Sequence, residues 1–186
     1  MKLTQLLAVA TLAIFSFTST GALAQSEKEK NQAEVNAKAE QTLNDFFKAK
    51  PKLKAEVKNA AGYGVFTTYG LSFLAGGSGG KGVVHDNKTG KKTYMDLAQA
   101  SVGLQIGASE TRYLFVFKDA KGMQTFIDSG WEAGGEVGAG AGAGKHAAGG
   151  TVGQFTYGNL YSLTKNGFQA GGAMGGTKFW KDKDLN

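Results

Sequence analysis

The sequence predicts an α+β fold, with N-terminal helices packed on a strongly curved, mostly antiparallel β-sheet or barrel and one further short helix. Residues 26–59 contain no glycine and are rich in Ala, Glu, Lys and Gln, which favour helix. From Gly62 onwards, glycine, aromatic and β-branched residues recur in short alternating runs between turn signals, as in sandwiches and barrels. Residues 130–176 hold 16 of the 29 glycines, and residues 138–144 alternate strictly as GAGAGAG. Such a strand predicts either a tightly packed, curved sheet or a flat apolar ligand lying on it.

The first 24 residues have the pattern of a secretory signal peptide. Lys2 supplies a positive charge, residues 6–17 are apolar, and Ala22-Leu23-Ala24 is a small-x-small cleavage site. We therefore expect one domain at residues 25–186, helical at 25–60 and glycine-rich sheet at 61–186. The expected location is periplasmic or secreted, with membrane association left open. The chain has no cysteine, which excludes disulfides and thiolate chemistry.

The helical part has one apolar face. Its members recur at helical spacing and are Val35, Ala39, Leu43 and Phe46 or Phe47. Pro51 is the single proline and predicts the start of a second helix over residues 51–60, with Leu53 and Val57 as its apolar pair.

The sheet part begins with a predicted strand at residues 62–69, continued at 71–75 after a bend. A turn is expected at 76–80, and then a hairpin whose strands, 81–85 and 91–95, flank residues 86–90. Residues 101–109 and 112–118 are predicted to form another antiparallel pair.

A short helix follows at residues 119–129, since Met123, Phe126 and Ile127 have helical spacing. Asp119 is its predicted cap and Gly130 its stop. Beyond the glycine-rich strand we expect a strand near 151–157 and a last hairpin that turns at Asn166-Gly167.

The charge pattern suggests an anionic partner. The formal net charge is +6, or +5 without Lys2, and Arg112 is the single arginine. Lysine suits diffuse attraction to a charged surface better than bidentate recognition. A basic amphipathic segment with one acid, Glu56, can lie on an anionic membrane. Its members are Phe46, Phe47, Lys48, Lys50, Lys52, Lys54 and Lys58. The alternative is that the apolar members pack on the sheet and the lysines are simply solvated.

Catalytic and metal motifs are weak. Ser78 lies in a G-x-S-x-G match that lacks the helix a nucleophile elbow needs, and the dinucleotide match at residues 77–82 lacks that helix too. A P-loop match ending at Gly144-Lys145 fails because Ala139 and His146 replace its first glycine and its Ser or Thr. His85 and His146 have no ligand spacing, and Glu132 with Glu136 could share one strand face. We expect no enzyme, no metal and no cofactor.

Several segments together resemble the SYLF domain family. They are GYGVFTTYGLSFLAGGSGGKGVV (62–84), VGLQIGAS (102–109), RYLFVFK (112–118), FIDSGWEAGGEVGAGAGAGKHAAG (126–149) and YSLTKNGFQAGGAMGGTKFW (161–180). The most specific parts are VGLQIGAS (102–109) and a terminal block that contains Ser162, Lys165, Gly167, Phe168, Ala170 and Gly171. The resemblance covers residues 43–186. One departure is Gly144-Lys145-His146, where the family often has Gly-Pro.

The resemblance implies a β-barrel-like sheet with N-terminal helices and non-enzymatic binding of anionic lipids. It places lipid contact on the basic segment and on lysines near the sheet, here Lys81, Lys145 and Lys165. Eukaryotic members bind phosphoinositides and some bind actin, but an exported bacterial protein meets no actin, and nucleic acid is not an expected partner. The alternative functions are an envelope structural or protein-interaction module and, less favoured, a hydrolase built on Ser78.

Overall fold

The computed structural model describes residues 19–72, 77–100, 107–133, 155–164, 167–170 and 176–186. Its helices are α1 (Ser19–Ala49), α2 (Leu53–Asn59) and α3 (Ala120–Ser129). Its strands are β1 (Gly62–Ser72), β2 (Gly77–Asp86), β3 (Lys92–Ala100), β4 (Gly107–Ser109), β5 (Arg112–Phe117), β6 (Trp131–Ala133), β7 (Gly158–Thr164), β8 (Gly167–Ala170) and β9 (Thr177–Lys181). The predicted α+β class is confirmed.

The strands form one curled antiparallel sheet in the order β6-β9-β3-β2-β1-β5-β7-β8, and β4 also pairs with β1. Gly70 faces Ser109 and Thr67 faces Arg112, so β4 and β5 run beside β1 in one unbroken register. The predicted pairing of residues 101–109 with 112–118 is therefore wrong for the described part. Thr68 joins the two short strands, because its hydroxyl accepts from the Thr111 amide at 2.9 Å and donates to the Thr111 carbonyl at 3.0 Å.

Period-2 alternation gives the sheet two apolar faces. On β5, Tyr113, Phe115 and Phe117 point to one side, whereas Leu114 and Val116 point to the other. We call the first the aromatic face, which α3 covers, and the second the helix face, which α1 and α2 cover. Because both faces are buried, strands such as β5 carry nearly continuous runs of apolar residues instead of alternating apolar and polar residues.

The aromatic face is a cluster of edge-to-face rings. Phe115 is its centre, with ring centroids 4.8 Å from Phe155, 5.2 Å from Phe179 and 5.7 Å from Trp131. Such pairs contribute roughly 0.5–1.5 kcal/mol each beyond the area they bury. Phe66 lies over the β2 backbone at Gly82, where an added Cβ would come within 2.3 Å of the ring. Glycine at this strand position thus makes room for a core aromatic ring.

Helix α3 matches its prediction. The Asp119 carboxylate accepts from the Gly122 amide at 2.7 Å, and Gly130 ends the helix with φ 71°. Met123, Phe126 and Ile127 are buried against the sheet.

Other element boundaries differ from the predictions. Strand β2 begins at Gly77, so most of the predicted turn at 76–80 is strand, and α2 begins at Leu53 after a turn at Pro51 and Lys52. Residues 155–157 are not strand; β7 begins at Gly158. The hairpins at residues 86–90 and between β7 and β8 are confirmed, with Thr164 facing Gly167 in the second. The GAGAGAG stretch and Asn166 lie outside the described residues, and signal cleavage after Ala24 stays a prediction.

Candidate functional site

The basic segment folds into the turn between α1 and α2, which we call the α1–α2 corner (residues 47–58). Its apolar neighbours hold it to the helix face: Phe46 and Leu53 are fully buried and Val57 nearly so. They pack with Val65, Leu114, Val116 and Tyr161 of the sheet. Phe46 therefore belongs to the core, and its predicted contact with lipid does not hold in this conformation.

The single acid of the corner is turned toward the sheet. Both carboxylate oxygens of Glu56 accept from the Tyr161 hydroxyl at 2.8 Å, and one also accepts from the Asn159 side-chain amide at 2.8 Å. Lys50 lies over the Tyr161 ring, with its ammonium 5.0 Å from the ring centroid. These contacts tie the corner to β7.

Four lysines of the corner point into solvent: Lys48, Lys52, Lys54 and Lys58. Lys54 and Lys58 are one turn apart on α2, on the side away from buried Leu53 and Val57. Lys48 has 80% of its side chain exposed and lies 3.7 Å from Asp45, a weak surface pair. The segregation of Glu56 inward and lysines outward makes this an exposed cationic surface.

Phe47 gives that surface an apolar centre. It is half-buried against the helix-face core, and with Asn44, Lys48, Pro51 and Lys54 it lines an open cleft of about 390 Å³. An aromatic ring surrounded by ammonium groups can contact acyl chains while the charges remain among headgroups.

Lys81, predicted to contact lipid, is instead paired within the protein. Its ammonium lies 2.7 Å from Asp96 and 2.5 Å from the buried carboxylate of Asp182. Burial alone would lower the pKa of Lys81, but the hydrogen bonds and charges of the two carboxylates outweigh it and raise that pKa. Lys81 therefore acts as a counterion. Lys145 and Lys165 lie outside the described residues.

The weaker chemical candidates gain no site from the structure. Ser78 lies within β2, which continues to Asp86, so the strand–turn–helix context of a nucleophile elbow is not there; its hydroxyl donates to Gln99 at 3.4 Å. Glu132 is exposed on β6, while Glu136 and His146 fall outside the described residues. Within the described ranges no three His, Asp or Glu side chains come together as metal ligands.

His85 is half-buried beside Tyr63, with ring centroids 5.1 Å apart. Burial, and then the nearby Lys92 charge, lower its pKa. A neutral imidazole at ordinary pH follows, and His85 adds no charge to the surface.

One polar network was not predicted from the sequence. The Arg112 guanidinium donates to Asp45 of α1 at 2.8 Å and to Glu110 at 2.6 Å, and Glu110 also pairs with Lys38 at 3.2 Å. This network fastens α1 to the strand that runs beside β1. The sequence did contain one indication of this network, the single arginine of a lysine-rich chain. Arginine is a planar, bidentate donor, which suits a position between two carboxylates.

Comparison with known proteins identifies the family. Residues 98–186 match the family model Ysc84, described as "Las17-binding protein actin regulator". The chain is also 32% identical over 151 residues to Beta cell expansion factor A of Aeromonas veronii, which covers 81% of this chain. The chain belongs to the SYLF (Ysc84) family. It spans 57% of the length of that SYLF relative. Among the described residues, none of the helices is long and apolar enough to cross a bilayer.

Proposed function

We propose that this SYLF protein binds anionic phospholipid surfaces of the cell envelope as a non-enzymatic peripheral protein, with the α1–α2 corner as the contact. The observation that carries the proposal is the charge segregation at that corner. Glu56 is held against β7 by Tyr161, while the four lysines are exposed and two of them, Lys48 and Lys54, line the cleft of half-buried Phe47. Family membership supports the coarser statement that its relatives interact with lipids or regulate actin.

The expected attraction is mostly electrostatic. Each lysine near an anionic leaflet contributes roughly 1 kcal/mol, so four lysines give on the order of 4 kcal/mol before screening by salt. Phe47 adds a shallow apolar contact, since part of its ring is already committed to the core. Binding should therefore be reversible and sensitive to ionic strength.

Vesicle co-sedimentation tests the proposal. The test variant replaces Lys48, Lys52, Lys54 and Lys58 with Gln. The control replaces Lys30, Lys91, Lys118 and Lys121 with Gln. These lysines are also exposed and lie outside the corner, so the net charge changes equally. We expect wild type and control to bind phosphatidylglycerol vesicles at about 0.1 M salt and to be released at about 0.5 M. The corner variant should lose most of its binding at the lower salt.

Two results would overturn the proposal. If the control variant lost as much binding as the corner variant, attraction would follow overall charge rather than the corner. If wild type did not bind anionic vesicles at any salt concentration, an envelope protein-interaction module would become the better account.

A further inference from the structure

Trp180 on β9 stands apart from the other large apolar residues that the structure describes. Its neighbour Phe179 is fully buried, whereas Trp180 is 39% exposed and is the one large hydrophobic side chain exposed in the described ranges. Strand alternation places Trp180 on the helix-face side of the sheet, beyond the flank of α1. A large exposed indole on a short strand is a candidate contact.

Lysines and acids both flank Trp180. Lys178 is exposed on the same side of β9, two residues before Trp180, and Lys183 is exposed in the turn after the strand. The carboxylates nearest in register and in sequence, Asp96 and Asp182, are both bound by Lys81. Two exposed acids remain nearby: Glu132, opposite Lys178, and Asp184.

We propose that Trp180, with Lys178 and Lys183, is a second membrane contact that anchors in the headgroup layer of a phospholipid bilayer. Indole rings concentrate in that layer because one side of the ring is apolar and its N–H remains hydrated, and flanking lysines extend toward phosphates. A protein partner is less favoured, since the buried centres of protein interfaces are depleted of lysine. The inference rests on the membrane binding proposed above and adds a second point of contact.

The second contact would fix the orientation of the protein. Trp180 lies on β9 and the corner is tied to β7, with β3, β2, β1 and β5 between them. At about 4.8 Å per strand the two contacts are roughly 24 Å apart across the sheet. Both lie on the helix-face side, so α1, which covers part of that face, would lie between the sheet and the bilayer. Its exposed side carries both signs, with Lys30 and Lys48 against Glu27, Glu29, Glu34 and Glu40.

Fluorescence quenching by brominated phospholipids tests this contact directly. The chain has two tryptophans, and Trp131 is buried in the aromatic face. With vesicles of phosphatidylcholine containing about one-third phosphatidylglycerol, we expect a blue shift of Trp180 emission and quenching by bromine on the acyl chains. The Trp180→Phe variant, which retains Trp131, should bind the same vesicles without quenching. Trp180→Ala should weaken vesicle binding by a factor on the order of three to ten.

Each outcome decides between the two proposals. Vesicle binding by wild type without quenching of Trp180, or equal binding by Trp180→Ala, overturns the second contact and leaves the corner as the membrane site. If the corner variant loses binding under the standard conditions but Trp180 is still quenched at high protein concentration, the result supports two separate contacts. If wild type binds no vesicles, both proposals fall.

Discussion

The Tyr161 hydroxyl lies 2.8 Å from each carboxylate oxygen of Glu56, and this pair joins α2 to β7. The contact turns the one acid of the α1–α2 corner toward the sheet, where its side chain is half-buried. Burial, reinforced by the Glu56 hydrogen bond and charge, raises the pKa of Tyr161 to about 12. The same pair that shapes the candidate lipid surface is therefore an alkali-sensitive element of the fold.

We expect the free energy of unfolding to fall as pH rises from about 10 to about 12. The pKa of Tyr161 is raised in the folded state, so its stabilisation is complete below the unfolded value of 10.0 and is lost as pH passes the folded value of about 12. Burial raises the pKa of Tyr113 in the same way, also to about 12. A shift of about two units corresponds to on the order of 2–3 kcal/mol for Tyr113 and to less for Tyr161, because solvent screens its phenol more.

Urea unfolding at several alkaline pH values measures this loss, and tyrosinate absorbance reports the two pKa values. Glu56→Gln should lower the pKa of Tyr161 while that of Tyr113 stays high. If the Glu56→Gln variant titrated like wild type, the contact would not control Tyr161.

Local signals in the sequence were enough to predict several elements. Helix α3 was predicted from Asp119, three spaced apolar residues and Gly130, all within one short stretch. The β2–β3 hairpin was predicted because its turn and both strands are contiguous. The pairing of strands that are distant in sequence was not predicted. β4 lies beside β1 rather than β5, and Thr68 of β1 hydrogen-bonds to Thr111 at the break between β4 and β5.

The partners of the candidate-site side chains could not be predicted from the sequence either. A lysine count cannot show that Lys81 is neutralised by Asp96 and by Asp182, which is distant in sequence. Nor does amphipathic spacing decide which of two adjacent phenylalanines is buried; Phe46 is in the core and Phe47 is at the cleft. Both depend on how the chain folds back on itself.

Replacing Gly130 with Ala should destabilise the protein much more than replacing Gly90. Both glycines have similar positive φ values, 71° and 73°, so both variants bear backbone strain of roughly 1–3 kcal/mol. At Gly130 an added Cβ would also lie 2.4 Å from the Phe179 carbonyl oxygen, whereas nothing lies within 4 Å at Gly90. Thermal and urea unfolding of both variants check this. Equal losses would mean that the backbone near Phe179 moves aside easily.

Arg112 and Asp45 should show a favourable coupling of about 1–2 kcal/mol in a double-mutant cycle with Arg112→Gln and Asp45→Asn. Their 2.8 Å contact is half-buried, and it joins α1 to the sheet. The free energy of unfolding of the four proteins gives the coupling, which should shrink only modestly at high salt because the pair is partly shielded from solvent. Additive losses in the two single variants would show that the pair contributes no net stabilisation.

Replacing Lys81 tests whether this lysine stabilises the fold or binds the membrane. Lys81→Gln should reduce stability at neutral pH, because it leaves the carboxylate of Asp182 buried without its ammonium partner. Burial alone would raise the pKa of Asp182, but Lys81 and the amides of Leu185 and Asp184 outweigh it and hold that pKa below its usual value. The stabilisation from this pair is present above the unfolded value of 3.8 and is lost as pH falls through the folded pKa, so wild type and variant should converge in acid.

Vesicle binding by the same variant completes the comparison. Lys54→Gln removes one charge from the corner without changing the core, since Lys54 is exposed on α2. We expect Lys54→Gln to weaken binding to phosphatidylglycerol vesicles severalfold with little effect on stability, and Lys81→Gln to do the reverse. If Lys81→Gln reduced vesicle binding as much as Lys54→Gln while remaining folded, the ammonium of Lys81 would have to leave its two carboxylates for the membrane. The internal ion pair would then be a resting state rather than a fixed part of the fold.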